Sequence, residues 1–113
     1  MKVEQLKDLA MTTLDDMKGK NITCLDVRGL TSVCDFMLVV TGTSNRHIKA
    51  MTDELAKKVK AAGGKVYSTE GQHAAEWVLV DLGDIVVHVM LAASRELYDL
   101  ESLWSMTAER LED

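Results

Sequence analysis

The stretch WVLVDLGDIVVHVML, residues 77–91, limits most sharply what this chain can fold into. Two runs rich in β-branched residues flank Gly83-Asp84, and a Gly-X pair between such runs signals a two-residue hairpin. A turn there pairs Leu82 with Ile85, Asp81 with Val86, Leu79 with His88 and Trp77 with Met90. Side chains alternate across a strand. One face therefore collects Val78, Val80, Leu82, Ile85, Val87, Val89 and Leu91. It is wholly aliphatic and must be core. The other face collects Trp77, Leu79, Asp81, Val86, His88 and Met90. Such a mixed face is either covered by a helix, with His88 hydrogen-bonded, or left partly open to a partner. Trp and Met are enriched in partner-binding surfaces.

The rest of the chain must supply neighbours for this hairpin. Val3, Leu6, Ala10, Leu14 and Met17 recur at helical spacing across residues 2–18, and Gly19 is read as the stop. Residues 22–27 (ITCLDV) and 35–42 (DFMLVVTG) read as strands, the second fully buried. A helix follows, capped by Ser44 or Thr43, with Ile48, Met51, Leu55 and Val59 as its apolar stripe and Gly63-Gly64 at its end. Residues 65–69 read as a short strand and EGQHAA as a loop. Ser94 is taken to cap a last helix over 95–104, with SMTAERLED beyond it. The order α-β-β-α-β-β-β-α predicts one domain over 1–113 of the α/β or α+β class, a mixed five-stranded sheet with flanking helices. The tail after about residue 105 is expected to lie outside its core. The unit over 35–69 is expected to be a right-handed parallel crossover if both strands share the sheet.

Composition narrows the function. Apolar residues make up 47% of the 113, and no window approaches the roughly 18 uncharged apolar residues of a membrane helix. The start, MKVEQLKDLAMTTLDD, has neither the apolar run of a signal peptide nor the Arg-rich, acid-poor character of a transit peptide. A cytoplasmic protein without membrane contact is the expectation. Cys24 and Cys34 then read as free thiols near strands, since neither CxxC spacing nor a neighbouring His is present. The net charge of −5 argues against a domain whose main ligand is nucleic acid phosphate. It permits a basic protein partner. A minor RNA contact through Lys57, Lys58, Lys60 and Lys65 competes with the plainer reading of a solvated helix face.

No catalytic motif stands out. His47, His73 and His88 are not at zinc spacing. There is no GxSxG, Walker A or GxGxxG. The nearest approach is VVTGTSNRH, a strand running through Gly42 into a helix start, which could present backbone N–H groups to an anion. A nucleotidyltransferase-like enzyme would need Asp81 and Asp84 to converge on the Gly42–Ser44 turn around Mg²⁺. The spacing does not ensure that, and the plainer reading is a capped strand-to-helix turn. No cofactor or metal is expected.

On the last helix, Leu97, Leu100, Leu103 and Trp104 share one arc of a wheel, while Tyr98 falls to its side. Tyr98 is therefore the better candidate for exposure. With Trp77 and His88 it would form an aromatic patch rimmed by Asp81, Asp84, Glu96, Asp99 and Glu101, an apolar centre with a charged rim. Left open in the free protein, such a patch could also join two copies into a homodimer.

The string LDVRGLTSVCDFMLVVTGTSNRHIKAM, then EG, then WVLVDLGDIVVHVM…SRELYDLESLW resembles the ribosomal silencing factor family, also called RsfS, YbeB or Iojap. The resemblance runs from about residue 5 to 105. It implies a non-enzymatic factor with a nucleotidyltransferase-related fold that lacks the catalytic acids. Family members bind the large ribosomal subunit through the ribosomal protein numbered fourteen on its intersubunit face. There they block joining of the small subunit, and translation falls when nutrients are scarce. Organelle members assist large-subunit assembly or translation, so an assembly factor using the same surface is the alternative. The family's binding surface carries over to Trp77, Leu82, His88 and Tyr98, with Met90, Arg95 and Leu100 as neighbours. Leu82 conflicts with the hairpin register, which puts it on the core face. The charge state of His88 is left open at this stage.

Overall fold

A computed structural model of the chain describes residues 1–100. Their elements are α1 (Val3–Asp16), β1 (Lys20–Asp26), β2 (Phe36–Gly42), α2 (Asn45–Ala61), β3 (Ser68–Glu70), β4 (Trp77–Asp81), β5 (Ile85–Leu91) and α3 (Ala92–Tyr98). The five strands form one sheet in the order β1-β2-β5-β4-β3. β2 and β5 run parallel at its centre, and the other pairs are antiparallel. This is the mixed α+β architecture the element order predicts.

The hairpin has the predicted register. Trp77 faces Met90, Leu79 faces His88 and Asp81 faces Val86. Leu82 N–H donates to the Ile85 carbonyl at 2.8 Å across the turn. Gly83 takes φ +89 at the first central position, where a type II′ turn wants glycine. Backbone N–H groups of Asp35 and Phe36 both donate to the Asp84 carbonyl, which ties the turn to the start of β2.

Burial then follows side-chain alternation. Val78, Val80, Leu82, Ile85, Val87 and Val89 join Leu38 and Val40 of β2 under α1 and α2. The helices contribute Leu6, Ala10 and Leu14, and Ile48, Met51, Leu55 and Val59, the stripes the sequence shows. The opposite face gathers Val27, Cys34, Met37, Val39, Val86 and Met90. No long helix among the described residues covers it. The central strand β2 is buried along its whole length, as a strand sandwiched on both faces should be.

Several expectations shift. β1 begins at Lys20 and carries a register break between Lys20 and Thr23. β3 is only three residues long, Ser68–Glu70. It lies parallel in direction to β2, but β5 and β4 stand between them, so the crossover spans the sheet. The left-handed step after α1 falls on Lys18, φ +63, one residue before Gly19. α3 starts at Ala92, directly after β5, and Leu91 rather than Ser94 occupies its N-cap. It stops at Asp99, whose φ and ψ of 45° and 53° are left-handed. That break destroys the wheel used above. Leu97, placed on a packed arc, is 77% exposed. The expected positions Leu103 and Trp104 lie outside the described residues.

Candidate functional site

The TGTSNRH segment has its polar groups engaged in holding the fold. Ser44 Oγ accepts from His47 N–H at 3.0 Å and caps α2. Asn45 Nδ2 donates to the carbonyls of Ala74 and Ala75, tying down the loop before β4. His47 Nδ1 accepts from Thr43 N–H at 2.9 Å, so the neutral ring carries its proton on Nε2, which donates to the Met17 carbonyl at 2.7 Å. Gly42 lies under α2, where a Cβ would meet Ile48 Cγ1 at 2.5 Å. The glycine is there for close packing.

The enzyme alternative fails on register. Phe36 pairs with Ile85 at one end of the parallel ladder and Gly42 with Leu91 at the other. The Gly83-Asp84 turn is thus a strand length, roughly 20 Å, from the Gly42–Ser44 turn. Asp81 and Asp84 cannot converge there. Asp81 Oδ1 instead accepts from Gly83 N–H at 2.8 Å and braces the hairpin. Among the described residues no cluster of His, Cys, Asp or Glu could hold a metal ion.

The aromatic group does assemble, on the sheet face away from α1 and α2. Trp77 Nε1–H donates to His88 Nδ1 at 2.9 Å. The Tyr98 ring lies 4.5 Å from the Trp77 ring, centroid to centroid, tilted by 44°. Such tilted aromatic pairs are favourable beyond their burial. Trp77 is half-buried and Tyr98 is 52% exposed. His88 lies beneath them, buried, with a pKa pushed down to about 4 by that burial. It is neutral at neutral pH, which answers the question its charge raised. With Nδ1 accepting from the indole, its proton sits on Nε2.

Beside His88 a cleft of about 370 Å³ opens between the connection after β1 and the hairpin. Thr31, Val33 and Cys34 form one wall, and Leu79, Asp81 and Val86 the other. Val33 is 75% exposed. Burial raises the pKa of the Cys34 thiol, and that of Cys24 on β1, so both cysteines are free, protonated thiols.

The other sequence-nominated residues fare differently. Met90 is on this face but wholly buried beneath it. Leu100 packs, half-buried, against the same cluster. Leu82 is buried on the opposite face, as the hairpin register required and against the family carry-over. Arg95 points inward to β1 and β2. Sequence reasoning did not place Val33 at the cleft, although an apolar residue in the polar connection RGLTSVC is a readable signal of an exposed apolar position. It also missed Leu97, because the left-handed Asp99 had no signal in the sequence.

Fold and face together define a small α+β domain, with one sheet face sealed by two helices and the other presenting paired aromatics beside an apolar cleft. The chain belongs to the family described as "Ribosomal silencing factor during starvation", whose model matches residues 1–113. It is 48% identical over 104 residues to the ribosomal silencing factor of Chromobacterium violaceum, covering 92% of this chain and 85% of that one. It is 45% identical to that of Haemophilus influenzae, covering 88% and 98%. A mouse relative named for mitochondrial assembly of the ribosomal large subunit is 32% identical, with 45% of its length covered. A crystal structure from Chromobacterium violaceum superposes with a TM-score of 0.91 at 48% identity, covering 93% of this chain and 88% of that one. The family is one of non-catalytic factors, in keeping with the register that separates the aspartates from the Gly42 turn.

Proposed function

We propose that this protein docks on the large ribosomal subunit through the face carrying Trp77 and Tyr98, and that its bound body blocks joining of the small subunit, repressing translation when nutrients are scarce. The observation that carries the reading is the Trp77–Tyr98 pair, in tilted ring contact on the sheet face that α1 and α2 leave uncovered. Large aromatics at the centre of a patch are the residues that dominate binding energy. Between residues 66 and 100 the chain carries six carboxylates and one basic residue, Arg95. A face built from this segment suits a basic partner, and the ribosomal protein numbered fourteen on the intersubunit face is the one the family points to. An interface of about 1,600 Å² is enough for a stable complex.

Truncating an anchor of this kind weakens binding by roughly 2 kcal/mol, about thirtyfold. We expect Trp77→Ala and Tyr98→Ala each to do so in a pelleting titration against isolated large subunits, with both variants still melting cooperatively. Full binding by both variants would remove the patch from the docking surface. The second reading, an assembly factor using the same surface, is favoured by the mouse relative's name. Accumulation of incomplete large subunits in cells lacking the protein would select it.

A further inference from the structure

The family carry-over made Arg95 a contact to the partner, but its guanidinium turns back into the protein. Nη1 donates to the Asn21 carbonyl at 2.6 Å and to Thr41 Oγ1 at 3.0 Å, and Nη2 donates to Thr23 Oγ1 at 2.9 Å. All three acceptors lie on β1 and β2, at least 54 residues away in sequence. The Asn21 carbonyl is available because the β1 ladder breaks there. Lys20 pairs with Thr41, pairing resumes at Thr23 with Val39, and Asn21 between them takes φ +51. Asparagine is among the few residues that adopt this conformation readily. A carbonyl turned out of its ladder needs another donor; Arg95 supplies the short one at 2.6 Å, and the Thr23 hydroxyl a longer one at 3.3 Å.

α3 needs such an anchor. It is seven residues long and none of them is buried, so hydrogen bonds to the sheet add to the little packing that holds it. Tyr98 stands three residues beyond Arg95, one turn along and on the same side of the helix. Its ring is the one over Trp77. We propose that Arg95, seated on the Asn21 bulge, is a positioning residue that fixes α3 so that Tyr98 stacks on Trp77, and that it acts on docking through that stack and not by touching the partner. The consequence for binding rests on the function proposed above; the positioning itself does not.

Amide NMR of the full-length ¹⁵N-labelled chain tests it, reading the Trp77 indole Nε1–H resonance, assigned with Trp77→Phe. Arg95→Ala should move that resonance in the same direction as Tyr98→Ala. Arg95→Lys keeps the charge but loses the fork and should fall between it and the unaltered protein. Thr23→Val, which removes one acceptor of Arg95 together with the hydroxyl's own bond to the Asn21 carbonyl and suits a strand, should give a smaller shift in the same direction. In large-subunit binding, Arg95→Ala and Tyr98→Ala should each weaken the complex about tenfold or more. The double variant should be no weaker than either.

An unmoved indole resonance in Arg95→Ala overturns the proposal, as do binding losses that add in the double variant. If Arg95→Ala does not fold, Thr23→Val decides by the same resonance. Should the resonance move while binding stays unchanged in Arg95→Ala and Tyr98→Ala alike, the positioning role stands and the docking reading falls.

Discussion

His88 shows how one side chain ties stability to the candidate site. Its burial lowers the pKa to about 4 in the folded protein, against about 6.5 in an unfolded chain. Between these values the unfolded state holds the extra proton, so stability rises with pH across the window. It is complete above about pH 7 and falls as pH drops from 6.5 toward 4, then levels off with respect to this group. The full span is on the order of 3 kcal/mol. Urea melts at pH 7.5 and 5 should show the loss, and His88→Gln should lose less between the same two pH values. An equal pH dependence in both proteins would mean that His88 is not the group responsible. The Trp77–His88 bond was half legible in the sequence. The register put Trp77 beside Met90 and Leu79 beside His88, so the two rings could be placed on one face. Which ring nitrogen faced which partner depends on rotamers that no alternation pattern encodes.

At the scale of elements, local signals succeeded where one physical rule dominated. Strand alternation and a Gly-X turn gave the hairpin register without error, because a slip of one residue would expose every aliphatic side chain of the core face. The apolar stripes of α1 and α2 were equally readable. α3 was misread because a wheel assumes an unbroken helix, and Asp99 leaves helical geometry without a glycine to announce it. The bulge at Asn21 was missed for a related reason, since its stabilising partner is distant in sequence. A direct check contrasts two leucines. Leu97→Ser should change stability by no more than about 0.5 kcal/mol, whereas Leu55→Ala, on the buried stripe of α2, should cost about 2–5 kcal/mol. Comparable losses for both, measured by chemical denaturation, would restore Leu97 to a packed stripe.

For the whole molecule, the two sheet faces divide the work. One, under α1 and α2, holds the fold together. The other carries the paired aromatics and the cleft beside His88, with Asp81 in its lining. The acidic balance of residues 66–100 should speed encounter with a basic surface and be screened by salt. Raising ionic strength should therefore lower the association rate with large subunits more than it raises the dissociation rate. A rate indifferent to salt would leave the carboxylates without a part in docking.

The most direct test of the central claim is subunit joining itself. Purified large subunits are mixed with this protein, small subunits are added last at fixed Mg²⁺, and the mixture is sedimented through sucrose. The account predicts that the joined peak disappears, that the protein travels with the large subunit, and that Trp77→Ala and Tyr98→Ala let the joined peak return. A joined peak that forms undiminished while the protein remains bound would contradict it, because a factor on the docking face proposed here cannot leave the intersubunit surface open.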